Sequence, residues 1–270
     1  MKQLANIKDC LLDVEGSVAC LTLNRHDVRN ALTGTAIVDD IVTVVDWINR
    51  SNEIAVLVIT AAGTAFSAGG NLKDMRDRRG DFAGDAETLV QKYQQGIQRM
   101  AIAMDSLTVP AIAAVNGPAI GAGFDLANMC DLRLASDKAK FGETFINLGL
   151  IPGDGGAWFL QRLIGYQEAA ELTFTGKVID AERALEYGIV LQVVSCANLI
   201  STAHSLAQEI AEKPLYAIKA TKRLMKSAPT ADLVNFLKAC AKEQGNCHQE
   251  PEHLDAVNAL IKSLDNKKAP

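Results

Sequence analysis

Three acidic residues stand where a run of small residues meets a helical or extended stretch, a place where a carboxyl group can face a substrate. Asp125 follows Gly121-Ala122-Gly123-Phe124, Glu143 sits in Phe141-Gly142-Glu143-Thr144-Phe145, and Asp154 lies in Pro152-Gly153-Asp154-Gly155-Gly156. Two such carboxyls in one pocket supply a general acid and a general base. A lone Asp before a helix is ordinarily an N-cap or a solvated turn residue, and spacing along the chain does not choose between the readings. The glycine-rich stretches Phe66-Ser67-Ala68-Gly69-Gly70-Asn71 and Gly121–Gly123 raise a second possibility. Small residues feeding a helix N-terminus leave backbone N–H groups unpaired. Two such amides converging from separate loops make an oxyanion hole; the plainer alternative is two tight turns in close contact. Gly121-Ala122-Gly123 also opens like a dinucleotide fingerprint, but Leu126 takes the third glycine position and no P-loop Lys-Ser/Thr follows.

Metal and disulfide chemistry have little support. The cysteines stand at 10, 20, 130, 196, 240 and 247 and the histidines at 26, 204, 248 and 253, with no C-x-x-C and no close Cys–His ligand spacing. They read as reduced thiols and incidental histidines, and no metal is expected. The 270 residues, 49% hydrophobic and 22% charged, describe a globular chain of one large domain or two modest ones. Twenty-seven basic against 32 acidic residues give a net charge of −5. That argues against a nucleic-acid partner, which needs a basic surface, yet leaves room for a local basic patch facing a phosphorylated ligand. The apolar runs Ile54–Ile59 and Val109–Val115 are far shorter than the roughly 20 residues of a membrane span. The first ten residues lack the apolar core of a signal peptide, so a cytoplasmic protein without membrane attachment is expected.

The elements that must position these residues follow from periodicity. Leu11–Val14 and Val18–Leu23 flank a Glu15-Gly16-Ser17 turn and predict a hairpin. Apolar residues at 37, 38, 41, 44, 45 and 48 predict a helix over Thr33–Asn49. The β-branched run Ile54–Ile59 predicts a buried strand, and residues 61–70 an irregular stretch. Lys73–Asp81 alternates opposite charges and reads as an exposed loop or lid. A helix to about Leu107, a strand at Ala111–Val115, a turn at Asn116-Gly117-Pro118, a short helix opened by Gly121–Gly123 and a strand at Leu132–Ala135 follow. Strand, glycine turn and helix thus occur twice. From about 198 the spacing becomes helical, for example Leu233, Phe236, Leu237, Cys240 and Leu254, Val257, Ile261, Leu264. The division expected is 1–197 as an α/β core and 198–270 as a helical C-terminal region.

Several of these runs together resemble the crotonase superfamily of enoyl-CoA hydratases and isomerases. They are Phe66–Met75, Pro110–Ala127, Cys130–Ser136 and Gly149–Gly156, with Leu23-Asn24-Arg25, Asn30-Ala31-Leu32, Thr175-Gly176 and Ala181-Ala184-Gly188-Val190 in family order. The resemblance covers nearly the whole chain. It implies an α/β superhelix of repeated ββα units whose C-terminal helical region supports a homotrimer or a dimer of trimers. It also implies an acyl-CoA thioester substrate, with coenzyme A part of the substrate and no separate cofactor. By motif position the thioester oxygen falls to the backbone amides of Ala68 and Ala122. The two glutamates of the hydratases fall on Asp125 and on Phe145, and Phe145 cannot transfer a proton. Asp154 is therefore expected as a replacement acid or base, with Glu143 as a further candidate. The resemblance places the pantetheine arm along Ala68, Gly69, Gly70, Asn71 and Leu72 beside Ala31, and assigns the phosphates to Arg29 and Lys262, the latter reaching a neighbouring subunit in some members. The expected activity is hydratase or isomerase chemistry through a thioester enolate. A β-dicarbonyl carbon–carbon hydrolase and an inactive CoA-ester-binding relative remain as alternatives.

Overall fold

The computed structural model describes residues 7–266, so the expectation drawn from the first ten residues falls largely outside it. In chain order the elements are β1 (Cys10–Glu15), β2 (Val18–Leu23), α1 (Ile37–Arg50), β3 (Val56–Ala61), α2 (Leu72–Asp77), α3 (Ala86–Gln95), α4 (Gln98–Ser106), β4 (Ala111–Val115), β5 (Ala119–Ile120) and α5 (Ala122–Asn128). Then come β6 (Leu132–Ser136), β7 (Lys140–Gly142), α6 (Gly156–Ile164), α7 (Tyr166–Thr175), β8 (Val178–Asp180), α8 (Ala181–Glu186), β9 (Gln192–Val194), α9 (Leu199–Ala211), α10 (Leu215–Ser227), α11 (Leu233–Cys247) and α12 (Pro251–Asn266).

The main sheet has the order β1-β2-β3-β4-β6-β9. Its first pair is the expected antiparallel hairpin, with Glu15 opposite Val18, and every later pair is parallel. Parallel strands are covered on both faces, so their sequences read as unbroken apolar runs. In β3, Leu57 and Ile59 face a core built with α1 and α4, while Val56 and Val58 face a second core closed by Leu199, Ala203 and Ala207 of α9. Helix α9 is therefore packed on the sheet, and Lys222 of α10 is tied to the Val109 carbonyl and to Asp131 beneath it. The change to helical spacing near 198 does not coincide with a break in the packing. The smaller sheet, β5-β7-β8, pairs Ala119 with Phe141 and Ile120 with Gly142. The N–H of Gly121 also donates to the Gly142 carbonyl at 2.8 Å, which brings the start of α5 beside the end of β7. Repeated ββα-like units with a helical C-terminal region make up the crotonase fold.

Several boundaries differ from expectation. Helix α1 starts at Ile37 rather than Thr33, because the Thr35 hydroxyl donates to the Ala31 carbonyl and residues 33–36 form a turn. Inside α1, buried Asp40 accepts the backbone N–H groups of Lys8, Asp9 and Cys10 and so anchors the first strand. The single helix expected up to Leu107 is broken at Gly96 into α3 and α4. The Lys73–Asp81 segment is not a loop. Asn71 caps α2 by accepting from the N–H groups of Lys73 and Asp74, and Arg76 and Arg79 both pair with Asp77.

Helices α11 and α12 are the two longest helices of the chain, and neither buries a single side chain. Glu243 of α11 accepts from Tyr216 and pairs with Arg223 of α10, each at 2.9 Å. Leu233, Leu237, Leu254, Leu260, Ile261 and Leu264 stay exposed. No described helix is long and apolar enough to cross a membrane.

Candidate active site

Helix α5 is the element on which the site is built. It follows Gly121, whose φ of +53° favours glycine, and every one of its residues is buried. The N–H groups of its first turn at Ala122 and Gly123 have no helical acceptor. Its far end is held by Arg133, whose buried guanidinium donates to the carbonyls of Ala127, Cys130 and Ile189.

A second loop meets this helix start. Gly69, at φ +73°, approaches so closely that a Cβ there would lie 2.5 Å from the Ile120 carbonyl oxygen and 3.1 Å from the Ala122 nitrogen. Only glycine permits that contact. Asn30, also at positive φ, holds the loop from behind. Its side chain accepts from the Arg25 N–H and donates to the carbonyls of Ala62 and Ala65, and its own carbonyl accepts from the Ser67 hydroxyl.

This geometry corrects one assignment. The Ala68 N–H donates to the Arg29 carbonyl at 3.0 Å, so it is not free to bind a substrate oxygen. The turn at Gly69 reverses the chain, and the next amide, Gly70 N–H, has no acceptor among the described residues. Gly70 and Ala122 line the same cavity of about 270 Å³, and Ala68 does not.

Asp125, Glu143 and Asp154 come together at this point. All three are buried, at 0%, 0% and 2% exposure, and none of their six carboxyl oxygens receives a hydrogen bond from a donor elsewhere among the described residues. The close approach depends on Gly156, the first residue of α6. A Cβ there would overlap the carboxyl oxygens of both Asp125 and Glu143. Protons carried by the trio itself can satisfy these oxygens. Burial is the first cause of the raised pKa of each. Asp125 is pushed well above the usual carboxylate range, with the charges of Asp154 and Glu143 adding to the effect. Glu143 is pushed up to about 8, and Asp154 is raised against the counter-effect of a hydrogen bond with Asp125. Hydrogen bonds with Asp154 and Glu143 raise Asp125 further and so favour its protonated form.

Of the three, only Asp154 lines the cavity. Phe145 lines it as well, its ring packed on Gly121. Were residues 141–145 extended, Glu143 and Phe145 would share a face. Instead β7 ends at Gly142 and a short 3-10 turn over Thr144–Leu148 follows, so Glu143 reaches the carboxyl trio while Phe145 turns to the cavity. Met75 of α2 and Phe82 close another side, so the charged segment expected as a lid forms a wall.

The expected coenzyme A contacts divide. Gly70 lines the cavity, and Ala31 is buried beside it in sequence to cavity-lining Leu32. Asn71 is engaged as the cap of α2, and Leu72 is exposed. Arg29 and Lys262 do not line the cavity, and Lys262 is exposed on α12. Among the described residues no group of three or more His, Cys, Asp or Glu side chains is arranged to hold a metal ion. Sequence reading missed Tyr93, whose phenol lines the cavity and is raised in pKa by burial and by Asp154. Its place in an amphipathic helix gave no sign of this.

Two backbone amides without an acceptor and a carboxyl thus share one cavity on this fold. The profile of the Enoyl-CoA hydratase/isomerase family matches residues 13–266. The chain belongs to that family. It is 31% identical over 258 residues to the short-chain-enoyl-CoA hydratase of Clostridium acetobutylicum, covering 94% of this chain and 95% of that one. It is 33% identical to the trans-2-decenoyl-[acyl-carrier-protein] isomerase of Streptococcus mutans, covering 82% of each. The crystal structure of an enoyl-CoA hydratase from Bacillus anthracis superposes with a TM-score of 0.88 at 30% identity, covering 95% of this chain and 97% of that one. A hydratase and an isomerase are similar to it in nearly equal measure, so the chemistry must be argued from the site.

Proposed function

We propose that this family member is an acyl-CoA double-bond isomerase working through a thioester enolate. The observation that carries this reading is that Asp154 alone of the three buried carboxyls shares the cavity with the amides of Gly70 and Ala122. The amides hold the thioester oxygen as negative charge develops on it, where preorganised donors in a dry site act most strongly. Asp154, as carboxylate, takes a proton from C2 of a 3-enoyl thioester. The electron pair passes into the dienolate, and the same proton returns at C4 to leave the 2-enoyl product. A raised pKa makes Asp154 a better base near neutral pH. Asp125 keeps its own proton and steadies Asp154 by hydrogen bonding.

Water addition asks for two groups in the cavity, one to activate water and one to protonate C2. Phe145 occupies the place of the second group, which favours isomerisation over hydration. The coenzyme A arm follows the Gly69–Leu72 stretch, with Arg29, beside Asn30 and Ala31, as the cation for its phosphates. We read α11 and α12, with their uncovered apolar faces, as the contact between copies of the chain in a trimer. The protein acts in the cytoplasm.

The test is turnover of 3-hexenoyl-CoA and of 2-hexenoyl-CoA by the wild type, Asp154→Asn and Asp125→Asn. Interconversion of the two by the wild type, lost in Asp154→Asn, is expected. Full activity in Asp154→Asn sinks the assignment, and release of 3-hydroxyacyl-CoA as the main product replaces isomerase by hydratase.

A further inference from the structure

Beside the catalytic cavity lies a second hollow of about 410 Å³. It runs between α3 and the 150–153 loop, and its walls include Leu89, Val90, Leu150 and Ile151. Tyr93 and Leu150 line both spaces, and the Tyr93 ring packs against Gly153, next to Asp154. The ring therefore forms part of the wall shared by the two spaces. The Gln98 side chain, which also lines the second hollow, donates to the Gly153 carbonyl at 2.7 Å and ties α4 to the 150–153 loop.

The second hollow is apolar without being covered. Helix α3 buries none of its residues, Val90 is 55% exposed and Ile151 73% exposed. Facing apolar walls of this kind gain by taking an apolar occupant. The cavity that holds the reacting end is itself at the small end of ligand sites, which span about 300–1,000 Å³. An acyl chain whose thioester lies at Gly70 and Ala122 and whose C2 lies at Asp154 points its tail toward Tyr93.

We propose that Tyr93 is the gate for acyl-chain length, and that the tail of an unbranched, medium-length acyl thioester passes its ring into the slot between α3 and the 150–153 loop. This rests on the functional reading above and adds to it a substrate class and the residue that selects it. Short chains end before the gate and use only the first cavity. Each methylene that enters the slot strengthens binding about fourfold, until the chain outgrows the walls.

The experiment measures binding of saturated acyl-CoA thioesters of four to twelve carbons to the full-length protein by calorimetry, so that it does not depend on turnover. The wild type is expected to bind more tightly as the chain lengthens. Val90→Glu places a charge in the slot without touching the first cavity, and lowers the ratio of twelve-carbon to four-carbon affinity at least about tenfold. Tyr93→Trp narrows the gate and lowers the same ratio, whereas Tyr93→Phe, which keeps the ring, preserves it. Affinity that does not vary with chain length, or a Val90→Glu profile like that of the wild type, overturns the slot while leaving the functional reading in place. A change in oligomeric mass with an unaltered profile overturns it in favour of a contact between copies. Failure of every acyl-CoA to bind removes the functional reading and the gate together.

Discussion

The stretch from β4 through α5 and the pair α11–α12 break the usual rules of burial in opposite directions. The first encloses every residue of α5 and, with Glu143 and Asp154, places three carboxyls where no outside donor meets them. The second encloses nothing and turns leucines and isoleucines to the surface. Burying an unpaired charge is among the costliest things a fold can do, and exposing an apolar stripe is a standing invitation to associate. The former is tolerable because the carboxyls hold protons and pair with one another. The latter is useful where another surface covers it. The proposed chemistry thus falls to the middle of the chain and the proposed contact between copies to its C-terminal helices.

The contrast can be broken most sharply at the acidic end. Asp154→Asn should lower kcat about a thousandfold with KM little changed, since general base catalysis contributes roughly 10²–10⁴; steady-state kinetics on 3-hexenoyl-CoA decide it. Gly156→Ala forces a methyl group between Asp125 and Glu143. A displacement of about 1 Å at such a site costs roughly a hundredfold in rate, so kcat should fall by that order while acyl-CoA binding persists. Unchanged kcat would show that the trio need not be closely packed.

A smaller effect sharpens the claim that protons hold the trio together. The Glu143 pKa is raised in the folded state to about 8 from an ordinary 4.5. Between those values the native protein binds more protons than the unfolded chain, so stability falls as pH rises from about 4.5 to 8. The melting temperature should therefore drop by roughly 5 °C over that range, and Glu143→Gln, neutral throughout, should make the drop smaller, leaving the share of Asp125 and Asp154. A wild-type melting temperature that rises with pH, or a variant with the same slope, contradicts it. The mildest prediction concerns the other end. Ile261→Glu on α12 should reduce the mass measured by light scattering toward a single chain while shifting the melting temperature only about 1–2 °C, because this side chain is exposed within the chain itself.

The parallel sheet was legible because its strands are short apolar runs between glycine turns, and β3 and β4 fell within two residues of expectation. The C-terminal helices were legible from their spacing. What the sequence hid was the set of contacts that local pattern does not encode. Asp40 looks like a surface residue in an amphipathic helix, yet its partners are three backbone N–H groups about 30 residues earlier. The free amide was misplaced by two residues because the choice between Ala68 and Gly70 depends on the reversal at Gly69, a torsion and not a composition. The convergence of Asp125, Glu143 and Asp154 was readable only as a possibility. Proximity arises from the pairing of β5 with β7 and from the missing side chain at Gly156.

Asn30 has a consequence for how the protein fails on heating. Its one side chain and one carbonyl fasten the end of the hairpin, the exit of β3 and the Ser67 turn to a common point. Those three segments therefore cannot loosen one at a time, and the Gly70 amide, carried just beyond Ser67, is lost with them. Inactivation and exchange of the amide protons at Arg25 and Gly69 should share one temperature, with no range in which the chain is folded there but idle.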